Sequence, residues 1–340
     1  MNSFERIQAT IEGRTTDRRA IAPVLSLYGA RLTGCQLSEY YTNPAAYARG
    51  QTAVHEVFRP DVLFGPFALA LLGGSFGSQL RFFADQPPNI GAPVIKSIDE
   101  WKQLRWPDFD ADPGLNYLRE TVRLIRKQNP DIPIAAMLPA PTEFAALIMG
   151  MEQWLDAVLF DTNRARVVVQ EIIPFFVRLA NDLFSAGTSF IIMPCAFALP
   201  SIVTRDIVTT FTRPALITAF AQLRGPVVVH HIGGEVLANL DLLKDLPAVA
   251  AYAIDIRDDI IKARAIIGSG GVLLCGPSGP NLYRMTASQV ENNCRSLLKS
   301  CRSDPRVILY TSGADIPLTT PVGNIHALRK AVEPAVGTHD

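Results

Sequence analysis

The feature that most constrains the fold of this chain is a regular alternation of short apolar runs with longer segments of helical period. Eight runs of β-branched or apolar residues are bounded by Gly or Pro, which is typical of buried parallel strands. They lie at Ala20–Tyr28, Asp61–Pro66, Ile132–Pro139, Ser189–Pro194, Pro226–His231, Ala250–Ile256, Gly271–Cys275 and Arg306–Thr311. Helices are predicted at Leu37–Val57, Leu115–Lys127, Thr142–Phe160, Arg164–Ala186, Arg205–Leu223, Val236–Lys244, Asp258–Ile267, Ala287–Cys301 and Pro321–Val332.

Eight strand–helix units in 340 residues predict an α/β fold, a single (β/α)8 TIM barrel forming one domain over residues 1–340. An open doubly wound sheet is disfavoured because no GxGxxG motif follows the first run. The stretch Phe67–Asp112 interrupts the alternation with GGSFGSQLRFF, QPPN and WPDFDADP. It predicts a hairpin and loops laid over the barrel mouth.

Charge and hydropathy exclude several classes of protein. The 32 basic and 32 acidic residues balance without Lys/Arg blocks, so the chain lacks the cationic patch that nucleic-acid binding requires. The longest apolar stretches are too short or too interrupted to cross a membrane. The polar N-terminus predicts no signal peptide, and we expect a cytoplasmic protein. Five widely spaced cysteines without a CxxC pair indicate free thiols.

Reactive residues close most of the predicted strands, and barrel enzymes carry their chemistry at these carboxyl ends. Adjacent side chains alternate in direction, so only one of His230 and His231 is expected to point inward. The candidate catalytic residues are His231, Asp255 and Glu143, and the candidate substrate-binding residues are Cys195, Gly233, Gly234, Ser312 and Asp315.

These residues support two kinds of chemistry. Histidine, cysteine and aspartate are ligand types that Zn²⁺ binds. Neighbouring strand ends lie ~4.8 Å apart. His231 and Cys275 are two strands apart and form the candidate metal pair, whereas Cys195 would have to reach farther. The alternative is that both thiols are core packing and that Glu143 only matches a helix dipole. Asp255 lies between two isoleucines and needs a polar partner.

Five segments of the chain are distinctive: FERIQATIEGRTTDR, GPFALALLGGSFGSQLRFFADQPPNIGAPVIKSIDEW, LPAPTEFAALIMGMEQWL, VVVHHIGGEV and ILYTSGADIPLTTPVGNIHAL. The most specific is the G-x-D-I-P…T-P…N-I string in the last segment. Together they resemble the uroporphyrinogen decarboxylase superfamily nearly end to end, and most closely its corrinoid-dependent methyltransferase branch, typified by methylcobamide:coenzyme M methyltransferases. The resemblance implies a (β/α)8 barrel, in agreement with the strand count.

The matched positions depart from both branches of this family. In the methyltransferase branch, a His-x-Cys after strand five and a cysteine after strand eight hold a zinc ion that activates a thiol. The matched residues here are His231, Gly233 and Ala314, so only the histidine is kept. The decarboxylase branch uses an arginine-rich segment resembling R-Q-A-G-R. Here it reads SLYGARLTG and keeps only Arg31, too little to neutralise a porphyrinogen.

The leading hypothesis is a methyltransferase that moves a methyl group between a corrinoid (cobalamin) delivered by a partner protein and a small acceptor, such as a thiol or tetrahydrofolate. Its mechanism uses either a displaced zinc at His231 and Cys275, or metal-free acid–base catalysis by His231, Asp255 and Glu143. The second is preferred because losing two ligands is simpler than relocating them. Besides the corrinoid protein and the small molecule, no nucleic acid or membrane partner is expected, and a homodimer is left open.

Two rival functions belong to other classes. One is a decarboxylase or other lyase of a small carboxylate, in which Asp255 stabilises a cationic intermediate and His231 moves the proton. The other is a non-catalytic barrel that binds a tetrapyrrole or corrinoid. Product released without a corrinoid would indicate the lyase, whereas ligand-induced stabilisation without turnover would indicate the binding protein.

Overall fold

All eight predicted strands are present and form a parallel barrel. The computed structural model describes residues 1–333, so positions 334–340 of the predicted domain lie outside the described residues. The sheet order is β1-β10-β9-β8-β7-β6-β5-β2, and the Asp61 N–H donates to the Ile21 carbonyl at 2.9 Å where the two edges meet. The strands are β1 (Ile21–Ala22), β2 (Leu63–Phe64), β3 (Gln79–Arg81), β4 (Asn89–Ala92), β5 (Ile134–Met137), β6 (Phe190–Pro194), β7 (Val227–His230), β8 (Val249–Ala253), β9 (Val272–Cys275) and β10 (Val307–Tyr310).

Helices alternate with the strands and pack around the barrel. Among the described residues, no helix is both long and apolar enough to span a bilayer. A π-helical turn at Val208–Thr212 joins α10 to α11. The helices are α1 (Ser3–Glu12), α2 (Tyr28–Thr33), α3 (Leu37–Tyr40), α4 (Pro44–Phe58), α5 (Ala70–Ser75), α6 (Pro113–Gln128), α7 (Ala146–Met149), α8 (Met151–Phe160), α9 (Thr162–Ala186), α10 (Arg205–Ile207), α11 (Arg213–Phe220), α12 (Leu240–Leu243), α13 (Ile260–Ile267), α14 (Ala287–Ser300) and α15 (Val322–Val332).

Two of the predicted helices are broken by local backbone chemistry. The segment Leu37–Val57 divides into α3 and α4 because the Asn43 side chain caps α4 and Pro44 occupies its first position. The segment Thr142–Phe160 divides into α7 and α8 at Gly150, whose φ of 91° is incompatible with a continuous helix. Helices α1, α2 and α5 are additional to the predicted set, and α5 lies in the stretch that was predicted to be a hairpin and loops.

Alternate strand residues face two different cores. One set packs inside the barrel and the other packs against the helices, as expected for strands that are covered on both faces. The inner set, here called the inner core, consists of Ala22, Val24, Val62, Phe64, Ala135, Met137, Ile192, Val228, Ala251, Ala253, Val272, Leu274, Ile308 and Tyr310, with Ile7 of α1 beneath it.

The predicted hairpin within Phe67–Asp112 is formed by β3 and β4, which pair antiparallel. It lies beside the segment that follows β5, because Ser78 Oγ donates to the Leu147 carbonyl at 2.9 Å. The rest of this stretch packs on α9, where Trp101 Nε1 donates to Glu171 at 2.8 Å and Phe109 contacts Phe175.

Candidate functional site

The predicted site residues collect at the carboxyl end of the barrel. Glu143 follows β5, Cys195 follows β6, Asp255 follows β8, and both Ser312 and Asp315 follow β10. Every one of these side chains is buried. Buried polar groups need partners, so the contacts of each indicate what this end of the barrel can do.

His231 and Asp255 form a buried pair. The His231 Nδ1 atom lies 3.6 Å from Asp255 Oδ2 and 3.0 Å from the Gly234 carbonyl. Burial lowers the pKa of His231, partly offset by the Asp255 carboxylate. Burial alone would raise the pKa of Asp255, but two hydrogen bonds from Arg257, including Nε to Oδ1 at 2.6 Å, outweigh it and hold this pKa below its usual value. The pair is thus a neutral imidazole beside an ionised carboxylate.

The two adjacent histidines differ in the hydrogen bonds that their Nδ1 atoms make. His230 Nδ1 accepts from the Ile232 N–H at 3.0 Å, so its proton lies on Nε2. His231 Nδ1 lies 3.0 Å from the Gly234 carbonyl and 3.6 Å from Asp255 Oδ2, and it also accepts from the Gly233 N–H at 3.1 Å. These contacts do not fix a single tautomer. In the tautomer that the two oxygen atoms stabilise, the proton lies on Nδ1. His231 Nε2 is then a free base. The rings are 5.0 Å apart, which places a donor next to a base.

The turn after β7 carries backbone strain. Ile232 has a φ of +48°, which is an outlier for a β-branched residue. Such conformations cost about 1–3 kcal/mol and cluster at functional sites. Here the strained turn directs the Ile232 N–H onto His230, so the strain fixes the tautomer of that histidine.

Glu143 is a neutral acid at physiological pH. It is buried, its Oε1 accepts from the Phe197 N–H at 2.9 Å, and its Oε2 accepts from the Thr142 hydroxyl at 2.7 Å. Burial outweighs these bonds and raises its pKa to about 8. Cys195 lies close enough for the Glu143 charge to act on it; burial first and then that charge raise the pKa of the thiol well above its ordinary value. This side of the site therefore holds proton donors.

Asp315 is a second buried acid. Its Oδ1 accepts from the Leu27 N–H at 3.0 Å, which ties the loop after β10 to the loop after β1. Burial raises its pKa to about 8. The Asp315 charge adds to burial in raising the pKa of Tyr310, and the Tyr310 ring packs edge-on against His230 with centroids 5.7 Å apart. Asp315, Tyr310 and His230 therefore form one polar cluster.

Several polar atoms of this end of the barrel have no hydrogen-bond partner among the described residues. Leaving such an atom buried and unpaired costs about 1–3 kcal/mol, so a run of them in one place indicates a missing polar ligand or water. The atoms are His230 Nε2, His231 Nε2, Tyr310 Oη, Ser312 Oγ and Asp315 Oδ2.

The predicted metal pair does not fit a zinc ion. Cys275 belongs to the core between barrel and helices, facing away from the inner core, and its Sγ contacts the Asp255 carbonyl at 3.9 Å. Burial and the Cys301 thiol raise the pKa of Cys275 to about 12, so this side chain is a protonated thiol packed in the core. Within residues 1–333, no three His, Cys, Asp or Glu side chains come together as metal ligands. His231 and Cys275 therefore do not form the displaced zinc site that the sequence suggested.

The two predicted substrate-binding glycines build the turn beneath the histidines. Gly233 has a φ of +98°, and its carbonyl accepts from Arg257 Nη2 at 2.9 Å. A Cβ on Gly234 would lie 2.8 Å from Leu199. The positive φ favours glycine at position 233, whereas a side chain at position 234 would displace the end of the Leu199 side chain. Contact of either glycine with a substrate stays a prediction.

Tyr310 and His230 are not among the site residues predicted from the sequence. Side chains two apart in a strand share a face. Tyr310 thus shares its face with Ser312, and His230 shares its face with Val228 of the inner core. The two-residue periodicity of a strand therefore predicts that Tyr310 points inward if Ser312 does, and that His230 points inward if Val228 does.

We expect Glu143→Gln to flatten the pH dependence of stability. The pKa of about 8 lies above the ordinary 4.5, so the stabilisation from this proton is complete below pH 4.5 and is lost as the pH rises through 8. Urea unfolding at pH 5.5 and 8.5 measures the effect: the wild type should lose more stability than the variant. Exposed Glu56→Gln is the control, and an unchanged pH slope in Glu143→Gln would contradict the raised pKa.

Fold and site together define a (β/α)8 barrel whose polar groups converge at the carboxyl ends of its strands. A family model described as uroporphyrinogen decarboxylase (URO-D) matches residues 2–334. The chain therefore belongs to the uroporphyrinogen decarboxylase family, which confirms the resemblance seen in the sequence. A comparison with curated proteins gives no match.

Solved structures confirm the barrel fold. A methyltransferase from Methanosarcina mazei aligns with a TM-score of 0.82 at 18% identity, covering 97% of this chain and 98% of that one. A B12-independent methionine synthase from a Shewanella species aligns with a TM-score of 0.57 at 15% identity, covering 87% and 88%. A putative B12-independent methionine synthase from Listeria monocytogenes gives 0.52 at 8% identity, covering 92% and 94%. At these identities the likeness establishes the fold alone.

Proposed function

We propose that this protein is a methyltransferase that moves a methyl group between a small polar molecule and a corrinoid carried by a partner protein. The observation that carries the proposal is the cluster of unpartnered polar atoms at the carboxyl end of the barrel, which includes two histidine nitrogens and one oxygen of the buried acid Asp315. Membership in the family and the shared barrel of the Methanosarcina mazei methyltransferase support it.

The chain's own residues supply acid–base chemistry. His231 Nε2 would take a proton from the acceptor as it gains the methyl group, and the Asp255 carboxylate would stabilise the imidazolium that results. Glu143 and Asp315, protonated because their pKa values are about 8, would donate hydrogen bonds to the bound molecule. In the opposite direction, the same groups would return a proton to the heteroatom that loses its methyl group.

The unpartnered atoms fit a small polar methyl carrier rather than a macrocycle, so a corrinoid would meet this chain at the edge of the site. Arg257, Glu235 and Ile256 offer exposed side chains there, with Arg257 bonded to Asp255. When bound, the corrinoid supplies a cobalt centre that gives or accepts the methyl group. A nitrogen acceptor such as tetrahydrofolate suits this site better than a thiol, because the described residues of the site lack the ligand set that would hold a thiolate on zinc.

Arg31 favours methyl transfer over porphyrinogen decarboxylation. It is the one arginine kept in the matched segment. Its Nη1 donates to the Tyr28 hydroxyl at 2.8 Å and to the Thr320 carbonyl at 2.7 Å, and it also contacts the Leu318 carbonyl. The Nη1 atom of this guanidinium joins α2 to the loop before α15, and a single guanidinium carries too little charge to neutralise several carboxylates.

The proposal predicts a change in the visible spectrum of a corrinoid. Purified protein is mixed with methylcobalamin and tetrahydrofolate or a thiol, and separately with cob(I)alamin and methyltetrahydrofolate. We expect demethylation or methylation of the cobalt only when the protein and the small molecule are both present, faster with tetrahydrofolate than with the thiol.

Each alternative has its own outcome in this experiment. No spectral change in either direction would overturn the methyltransferase. Release of carbon dioxide from a small carboxylate without any corrinoid would establish the lyase instead. A rise in Tm with cobalamin alone, without turnover of any substrate, would indicate a binding protein.

A further inference from the structure

A cavity of about 240 Å³ lies at the amino-terminal end of the barrel, opposite the candidate site. Residues of β1, β2 and β6 to β10 form its wall, together with α1. Protein interiors contain few voids larger than a water molecule. A space of this size therefore needs an explanation in the sequence.

Small residues on the inner faces of two strands leave this space open. Barrel interiors are usually filled by Val, Ile and Leu, but β1 contributes Ala22 and β8 contributes Ala251 to the inner core, and both line the cavity. Ala250, beside Ala251, lies at its rim. The cavity therefore follows from the small side chains that these strands place in the barrel interior.

The lining residues carry no ionisable side chain and few polar groups. Only Gln8 and Ser189 among the lining residues have polar side chains, and both already have partners. The Gln8 amide donates to Glu12 at 2.6 Å, and the Ser189 hydroxyl accepts from Arg126 at 3.0 Å and from the Ile134 N–H at 3.2 Å. Water in such a cavity would find few hydrogen bonds, whereas an apolar molecule would lose none.

Helix α1 forms one side of the cavity and provides its apolar rim. Ile7 packs against the inner core. Phe4 and Ile11 line the cavity, and their side chains are 39% and 42% exposed. The opposite face of the helix is fixed through Arg6, which binds Asp61 at 2.6 Å. The rim is therefore both held in place and open to solvent.

We propose that this cavity binds an uncharged apolar molecule, either an alkyl chain or an aromatic group of one to two rings. An apolar cavity of about 150 Å³ admits benzene, so the larger volume here accommodates a substituted ring or a short alkyl chain. No residue of its lining is ionisable, which disfavours charged ligands because a buried charge needs a partner. This site is separate from the acid–base site and does not depend on the proposed function.

Thermal unfolding with small probes tests this proposal on the full chain. Toluene and cyclohexane should each raise Tm progressively as their concentration increases, because they bind only the folded state. Benzoate, which has the same ring with a charge, should not. Ala251→Leu, which fills the cavity, should abolish the response to both probes, while exposed Ala238→Leu should keep it.

Three outcomes would overturn the site: no shift with either apolar probe, an equal shift in Ala251→Leu, or an equal shift with benzoate. The smaller change Ala22→Val replaces Ala251→Leu if that variant does not fold. Xenon binding, followed by ¹²⁹Xe NMR on the wild type and on the filled variant, measures occupation of the cavity directly. Xenon signals that are identical in the two proteins would likewise reject it.

Discussion

Replacing His231 with glutamine is expected to lower the rate of methyl transfer by about 10²–10⁴-fold, the usual contribution of a general acid–base residue. Glutamine keeps the size and hydrogen-bonding capacity of the side chain but cannot exchange a proton at neutral pH. His231 Nε2 is buried and has no partner in the described part of the chain, so the fold does not depend on that atom. The corrinoid spectral change, recorded with saturating small molecule, gives the rate.

The matched control is His326→Gln on α15, an exposed histidine that should retain wild-type turnover. The pH profile adds a readout that a packing defect would not move. In the wild type, the acidic limb should reflect a histidine whose pKa lies below its ordinary value, and in His231→Gln that limb should disappear. Wild-type turnover in the variant would remove His231 from the mechanism.

The barrel was predictable because its strands are buried on both faces and stand out as short apolar runs between turn residues. The points at which helices break were harder to predict from the sequence. Asn43 and Gly150 each break a helix that hydrophobic periodicity alone continues. Helix α1 is amphipathic and could have been found by its Asn2–Glu5 capping box.

The sequence predicted which strand ends carry the candidate site residues, but it did not predict which way their side chains point. Every residue of Val227–His230 is buried, so the pattern in β7 alone does not distinguish inward from outward side chains. The same ambiguity placed Cys275 beside His231 as a metal ligand, whereas the structure turns it toward the helices. Direction is set by the closure of the whole barrel, a long-range property that one strand does not encode.

Changing Asp61 to asparagine is expected to lower the free energy of unfolding by about 3–5 kcal/mol, the usual loss when one partner of a buried ion pair is removed. Asp61 is fully buried and accepts from Ser3 Oγ at 3.2 Å, Arg6 Nη1 at 2.6 Å, Arg18 Nη1 at 2.7 Å and the Ile21 N–H at 2.8 Å. The amide would leave the largely buried Arg18 guanidinium without a countercharge, would leave Arg6 paired with Asp17 alone, and would turn an N–H₂ toward donors. Urea unfolding measures the loss.

The position of Asp61 explains why one carboxylate has so large an expected effect. It joins α1, β1 and the start of β2 where the two edges of the barrel meet, so its loss loosens the closure as well as the helix. The control is Asp99→Asn, in an exposed ion pair with Arg164, where about 0–1 kcal/mol is expected. If Asp61→Asn lowers the free energy of unfolding no more than Asp99→Asn does, the Asp61 network adds nothing beyond a surface ion pair. Hydrophobic packing alone would then close the barrel.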